Sequence, residues 1–131
     1  MPLIDSLQDK LPEYPRALGI VYLEAGADRL VAEITVRQDM SNGSNTIHGG
    51  AIMTFADTLG AVATIINIPR DKHTTTLESK TNFIGRAPVG TRLIGTATPL
   101  HRGRTTQVWE THIRTEDGKL VAKVTQTQLV M

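Results

Sequence analysis

From Gly49 to Pro69 the chain reads GGAIMTFADTLGAVATIINIP, and Asp57 is the only charged side chain in that run. A carboxylate is costly to keep ionised in an apolar helix, so partners must offset its desolvation. Held that way, it can take a proton from water or attack an electrophile itself. Just ahead of the helix stand His48, Gly49 and Gly50. A helix N-terminus carries free backbone N–H groups and the positive end of the helix dipole, and glycines leave it open to close approach. Donors and a carboxylate on one helix suggest an active site rather than a plain core element. Read alone, Asp57 also fits a structural carboxylate held by a threonine hydroxyl or by backbone donors.

The elements that must position these groups follow from periodicity. Residues 3–10 suit a short amphipathic helix ended near Pro12, and residues 18–25 suit a strand. In residues 30–36, Leu30, Ala32, Ile34 and Val36 alternate with Val31, Glu33 and Thr35, which predicts a half-buried strand. A polar loop, QDMSNGSNT, leads into a helix over residues 50–67, with Pro69 as its stop signal. Strands are expected over residues 74–84, 91–100, 104–115 and 119–130, with a hairpin turn at Glu116-Asp117-Gly118. Four consecutive short strands favour an antiparallel sheet, and one long helix packed on it gives an α+β domain. The whole chain, 1–131, reads as one domain with a helical extension over residues 1–16.

Composition narrows the partners. Fourteen basic and thirteen acidic residues give a net charge of +1, and aromatics are 4%. That balance argues against a nucleic-acid footprint or a base-stacking platform. The chain has no cysteine, which excludes disulfides and thiolate metal sites. His48, His73, His101 and His112 lie far apart with no HxxxH or HxH spacing, so no metal is expected. MPLIDSLQDKLPEYP lacks a basic region followed by an apolar run, so no secretory signal is expected and the chain reads as cytoplasmic. The apolar helix is long enough to raise a membrane span, but Asp57, Asn67 and its threonines argue against one.

At about 100° per residue, Ile52, Phe55, Leu59, Val62 and Ile66 form one stripe that should face the domain's own sheet. Asp57 falls nearly opposite, among Met53, Gly60, Ala61 and Thr64. A solvent face should carry Lys, Glu and Arg, and this one carries none. A second subunit is the expected cover, because small residues let another backbone approach.

The segment NGSNTIHGGAIMTFAD, residues 42–57, resembles the signature of hotdog-fold acyl-CoA thioesterases, nearest their PaaI-like branch. The resemblance continues through Thr76–Phe83, the turn Pro88-Val89-Gly90, Arg102-Gly103-Arg104-Thr105 and the segment 117–122. It spans roughly residues 20–130. It implies an antiparallel sheet wrapped around a central helix, and hydrolysis of acyl-CoA to free acid and CoA. No cofactor is implied, coenzyme A being part of the substrate. The resemblance assigns the Gly49 N–H to polarising the thioester carbonyl, with the Asn42 side chain assisting. It makes Asp57 the general base or nucleophile, has Thr76 position the water and sets His48 near the thiol leaving group. His48 reads equally well as a helix-start residue bonded to the loop backbone. Gly50 and Asn45 complete the expected substrate contacts. Arg102 and Arg104, with Lys80 and Arg86 behind them, are candidates for the CoA phosphates, and each also reads as a solvated surface cation.

Asp57 lies eight residues after Gly49, about 12 Å along the axis at ~1.5 Å per residue. Donor and attacking group must both lie about 3 Å from the reacting carbonyl. The site is therefore expected to join Gly49 and Asn42 of one subunit to Asp57 and Thr76 of another, in a homodimer or homotetramer. The family loop has a glycine three residues before the His; here it is Asn45, which tolerates positive φ. Two other readings share the fold: a hydratase or dehydratase acting on acyl thioesters, and a non-catalytic acyl-CoA-binding module. The first lacks its usual proline turn near His48, and the second has no use for Asp57.

Overall fold

Two short helices open the computed structural model, which describes residues 2–131: α1 (Leu3–Asp9) and α2 (Glu13–Ala17). β1 (Val21–Ala25) and β2 (Leu30–Thr35) follow, then α3 (Gly49–Ile66). β3 (Thr74–Phe83), β4 (Arg92–Arg102), β5 (Thr106–Thr115) and β6 (Leu120–Val130) complete the chain. The strand count, order and class match the sequence expectation; α2 is an addition to it.

The strands form one six-stranded antiparallel sheet in the order β1-β2-β4-β5-β6-β3. Chain order alone does not show that β3, leaving α3, crosses to the far edge and pairs with β6. Sequence alternation does its work in β4, β5 and β6, where every second residue is buried against α3. Gly95 of β4 admits the helix: a Cβ there would meet Leu59 and Phe55 within 2.9 Å. Gly118 closes the β5–β6 hairpin at φ 91°, as Asp117-Gly118 predicts.

α3 is the core helix. Ile52, Phe55, Ala56, Leu59 and Ala63 are fully buried, while Val62 and Ile66 pack on the core only in part. Among the described residues it is the one helix long and apolar enough to cross a membrane, and here its inner face packs on the sheet. Its C-terminus is held by Asn67, whose amide nitrogen donates to Ala63 O and Ala27 O at 2.9 Å each. α1 lies on the edge strand β1. The Gln8 amide donates to Ile20 O and accepts from Tyr22 N–H, pairing with β1 as another strand would.

Candidate active site

The carboxylate is built from three elements. Asp57 sits at mid-helix on α3, half-buried, and its Oδ1 accepts the Thr76 hydroxyl of β3 at 2.7 Å. Cross-strand register sets Thr76 directly opposite Gln128 of β6. The Gln128 amide nitrogen donates to Thr76 Oγ1 at 2.7 Å and to Gln126 Oε1 at 2.7 Å. The Gln126 nitrogen in turn donates to Ala56 O at 2.8 Å. Thr76 therefore reaches the carboxylate itself, where the resemblance has it holding water. An amide nitrogen cannot accept, so the single hydroxyl proton of Thr76 goes to Asp57.

Two residues of the expected subunit-facing stripe belong elsewhere. Gly60 is fully buried, and a Cβ on it would lie 2.1 Å from the Gln126 side chain. Thr64 is fully buried and donates to Gly60 O at 2.8 Å. Both face the chain's own sheet. The helical-wheel reading missed this because it had no inward glutamine to place under the helix. The outer face keeps Met53, Asp57 and Ala61, joined by Thr54 and Ile65.

The donor end is built from loop. His48 N-caps α3, its Nδ1 accepting the Gly50 N–H at 2.8 Å. The neutral ring then carries its proton on Nε2. The N–H groups of Ala51 and Ile52 both donate to His48 O. Gly49 N–H is thus the terminus donor left without a partner among the described residues, whereas Gly50 N–H is taken. The loop is pinned by Ile47 N–H to Ala87 O and His48 N–H to Met40 O, 2.8 Å each. Asn42 Oδ1 accepts from Ser44 N–H at 2.8 Å and from the Thr46 hydroxyl at 3.1 Å. That commits the amide oxygen inward and leaves its NH₂ as the free donor. Asn45 holds the turn at φ 57° and accepts from the Gln38 amide, so it serves the loop.

Cavities flank the carboxylate. One of about 390 Å³ lies between α3 and the N-terminal helices, lined by Leu7, Leu11, Tyr22, Val62, Ile65 and Asp57. A second of about 360 Å³ brings Tyr14, Met53, Thr54 and Ser79 to the same Asp57. A third of about 610 Å³ runs past His48, Gly50 and Thr54. The buried Tyr22 hydroxyl has no hydrogen-bond partner among the described residues, and burial pushes its pKa up to about 12. Among the described residues no three His, Asp or Glu side chains converge as a metal site would require.

The basic candidates do not cluster. Arg102 lies at the other end of α3, donating to Asp28 Oδ1 at 2.7 Å, Ala27 O at 2.8 Å and Asn67 Oδ1 at 3.4 Å. It fastens the β1–β2 turn. Arg104, Lys80 and Arg86 are exposed. Of these, Arg86 stands beside Ala87, whose carbonyl holds the donor loop. Sequence reasoning missed Gln126, Gln128, Thr74 and Tyr22. The available signal was the alternation Val124, Gln126, Gln128, Val130, which sets two glutamines at inward positions of an otherwise apolar strand face.

Comparisons with known proteins converge on one family. The profile described as the thioesterase superfamily matches residues 44–122. A Vibrio cholerae protein provisionally named an esterase is 36% identical over 104 residues, covering 79% of this chain and 69% of that protein. The 1,4-dihydroxy-2-naphthoyl-CoA hydrolase of Escherichia coli is 30% identical over 114 residues, covering 87% of this chain and 83% of the hydrolase. A thioesterase structure from Haemophilus influenzae superposes with a TM-score of 0.92 at 27% identity, covering 100% of this chain and 92% of that one.

Proposed function

Because the chain belongs to the thioesterase superfamily, hotdog-fold thioester hydrolases, we propose that it hydrolyses acyl-CoA at a site shared between two subunits. The observation that carries this reading is the separation of the two halves on one rigid helix. Gly49 and Asp57 are eight residues apart in the unbroken α3, about 12 Å along its axis. Asp57 is also tied to Thr76 of its own chain. A carbonyl bound at Gly49 therefore needs its carboxylate from another copy.

In the proposed reaction the thioester oxygen accepts from Gly49 N–H and from the free NH₂ of Asn42. Negative charge developing on that oxygen is stabilised by donors already in place and by the helix dipole. Asp57 of the neighbouring subunit takes a proton from water, and the hydroxide oxygen bonds to the carbonyl carbon. The C–S bond then breaks, and the departing CoA sulfur is protonated, with the His48 Nε2–H as the nearby donor. The acyl group occupies the apolar cavity that ends at Asp57, beside Leu11 and Val62. No cofactor is needed, and the reading places the enzyme in the cytoplasm with its acyl-CoA substrate. The edge strand β3 exposes Leu77 and Phe83, which suits pairing with a second copy in a dimer or a dimer of dimers.

The test mixes two inactive variants, Asp57→Ala and Asn42→Ala. Each heterodimer would hold one site with both halves intact, so random exchange should restore about a quarter of wild-type thiol release. No recovery after verified subunit exchange would overturn the shared site. Single turnover in heavy-oxygen water should leave Asp57 unlabelled; label in its carboxylate would make it the nucleophile instead.

A further inference from the structure

We propose that Gln128 is a positioning residue of the reaction: it orients the Thr76 hydroxyl so that one oxygen of Asp57 is held and the other is left to act. This rests on the proposed role of Asp57 and extends it to residues that never meet the substrate.

A ring of hydrogen bonds leaves α3 at one residue and returns at the next. It runs from Ala56 O to the Gln126 nitrogen at 2.8 Å, and from Gln126 Oε1 to the Gln128 nitrogen at 2.7 Å. It continues from that nitrogen to Thr76 Oγ1 at 2.7 Å and from the Thr76 hydroxyl to Asp57 Oδ1 at 2.7 Å. Gln126 is 1% exposed and Gln128 0%, so water does not compete for the bond between the two amides or the bond to Ala56 O.

The direction of each bond is fixed. Thr74 of β3 donates its hydroxyl to Gln128 Oε1 at 2.8 Å, which sets the amide with its oxygen toward Thr74 and its nitrogen toward Thr76. Both amide hydrogens of Gln128 are then used, one on Thr76 and one on Gln126. Thr76 must accept, so its proton points at Asp57. The carboxylate is left with Oδ1 bound and Oδ2 as the oxygen available to a water at the cavity rim.

Gly60 belongs to the same device. Its missing Cβ is the space that the Gln126 amide fills beneath the helix. A glutamine laid flat under α3 can reach the carbonyl of Ala56 only where the helix offers no side chain. Two buried glutamines and a helix glycine are an expensive way to fill a core, since apolar residues there would need no partners. Their return is a carboxylate with one orientation.

The experiment measures kcat and KM for acyl-CoA hydrolysis in Gln128→Met, Thr76→Val and the double variant, with thermal unfolding to verify folding. Gln128→Met should lower kcat about 10–100-fold, the scale of a misplaced reacting group, and leave KM within about twofold. Because Gln128 acts through Thr76, the double variant should be little worse than Thr76→Val alone. Full kcat in a folded Gln128→Met enzyme overturns the proposal, and so do losses that multiply. Should Gln128→Met not fold, Thr74→Val decides: a severalfold fall in kcat at constant KM supports the proposal, and wild-type kcat overturns it. Asp57→Asn separates the two levels. If it is inactive while Gln128→Met is not, the relay fails and the role of Asp57 stands; if it is fully active, the underlying reading fails.

Discussion

The two candidate stations of α3, its N-terminus and its midpoint, are built on opposite principles. At the N-terminus, capping groups absorb the N–H groups of Gly50, Ala51 and Ile52, and Gly49 N–H is left free among the described residues. The Asn42 amide is handled the same way, its oxygen committed to the loop and its NH₂ left over. At mid-helix nothing is left over except one carboxylate oxygen. Asp57 is gripped by Thr76, and the relay behind Thr76 is buried in strands β3 and β6. A donor site needs vacancies, and loop backbone supplies them cheaply. A base that must hold one orientation needs commitments, which rigid strands supply better. Because one straight helix carries both, the proposed reaction takes its donors from one chain and its carboxylate from another.

The sharpest way to break this comparison is Asp57→Asn. The amide keeps the size and much of the hydrogen bonding of the carboxylate but cannot accept a proton from water. Thiol release should fall by about 10²–10⁴-fold, the usual contribution of a positioned base, with KM little changed. Loss of acyl-CoA binding with kcat unchanged would place Asp57 with the binding groups and erase the contrast between the N-terminus and the midpoint.

Glycines beside the relay and beside the donor loop give a smaller and opposed pair of effects. Gly60→Ala would drive a Cβ to 2.1 Å from the tethered Gln126 amide. Overpacking of that kind costs about 1–3 kcal/mol, more than the alanine gains as a helix former. Urea unfolding should show the loss, and hydrolysis should weaken as the relay is displaced. Gly50→Ala would meet only the His48 ring, at 3.0 Å and on the surface, and should change stability by under about 0.5 kcal/mol. Equal effects at both positions would mean that the relay is no stiffer than the loop.

Much of this was legible in the sequence, and the limits have physical causes. The lone charge in an apolar run points to Asp57 as a candidate carboxylate, and HGG at a helix start points to candidate donors. Asn45 could be read as a left-handed turn residue, and its φ of 57° agrees. The strand that follows the helix could be located but not placed, because antiparallel order is set by tertiary pairing. For the same reason Gly60 was assigned to the wrong face: its neighbour Gln126 lies 66 residues on and becomes adjacent only when β6 pairs with β3. Arg102 looked like a phosphate ligand by its place in a turn, yet it is spent on Asp28 and Ala27.

The smallest effect tests the cavity side of Asp57, where the structure leaves a polar group unmatched. The Tyr22 hydroxyl is buried at the same cavity as Asp57 and has no partner among the described residues. Removing it in Tyr22→Phe should leave stability at pH 7 unchanged or raised by up to about 1 kcal/mol, since no hydrogen bond is lost. The alkaline range gives a second reading. Burial lifts the phenol from 10 to about 12, so the folded chain keeps its proton where the unfolded chain sheds it. Stability from this group is intact below pH 10 and is lost as pH climbs through about 12, at roughly 1.4 kcal/mol per pH unit. Lysines titrate alike in both proteins, so the difference between the two urea-unfolding curves isolates the phenol. Wild type should fall away from Tyr22→Phe between pH 10 and 12. Parallel curves would mean that water reaches the phenol in the folded chain, and a clear loss at pH 7 would mean that the hydroxyl is paired after all and that both sides of the carboxylate are built of commitments.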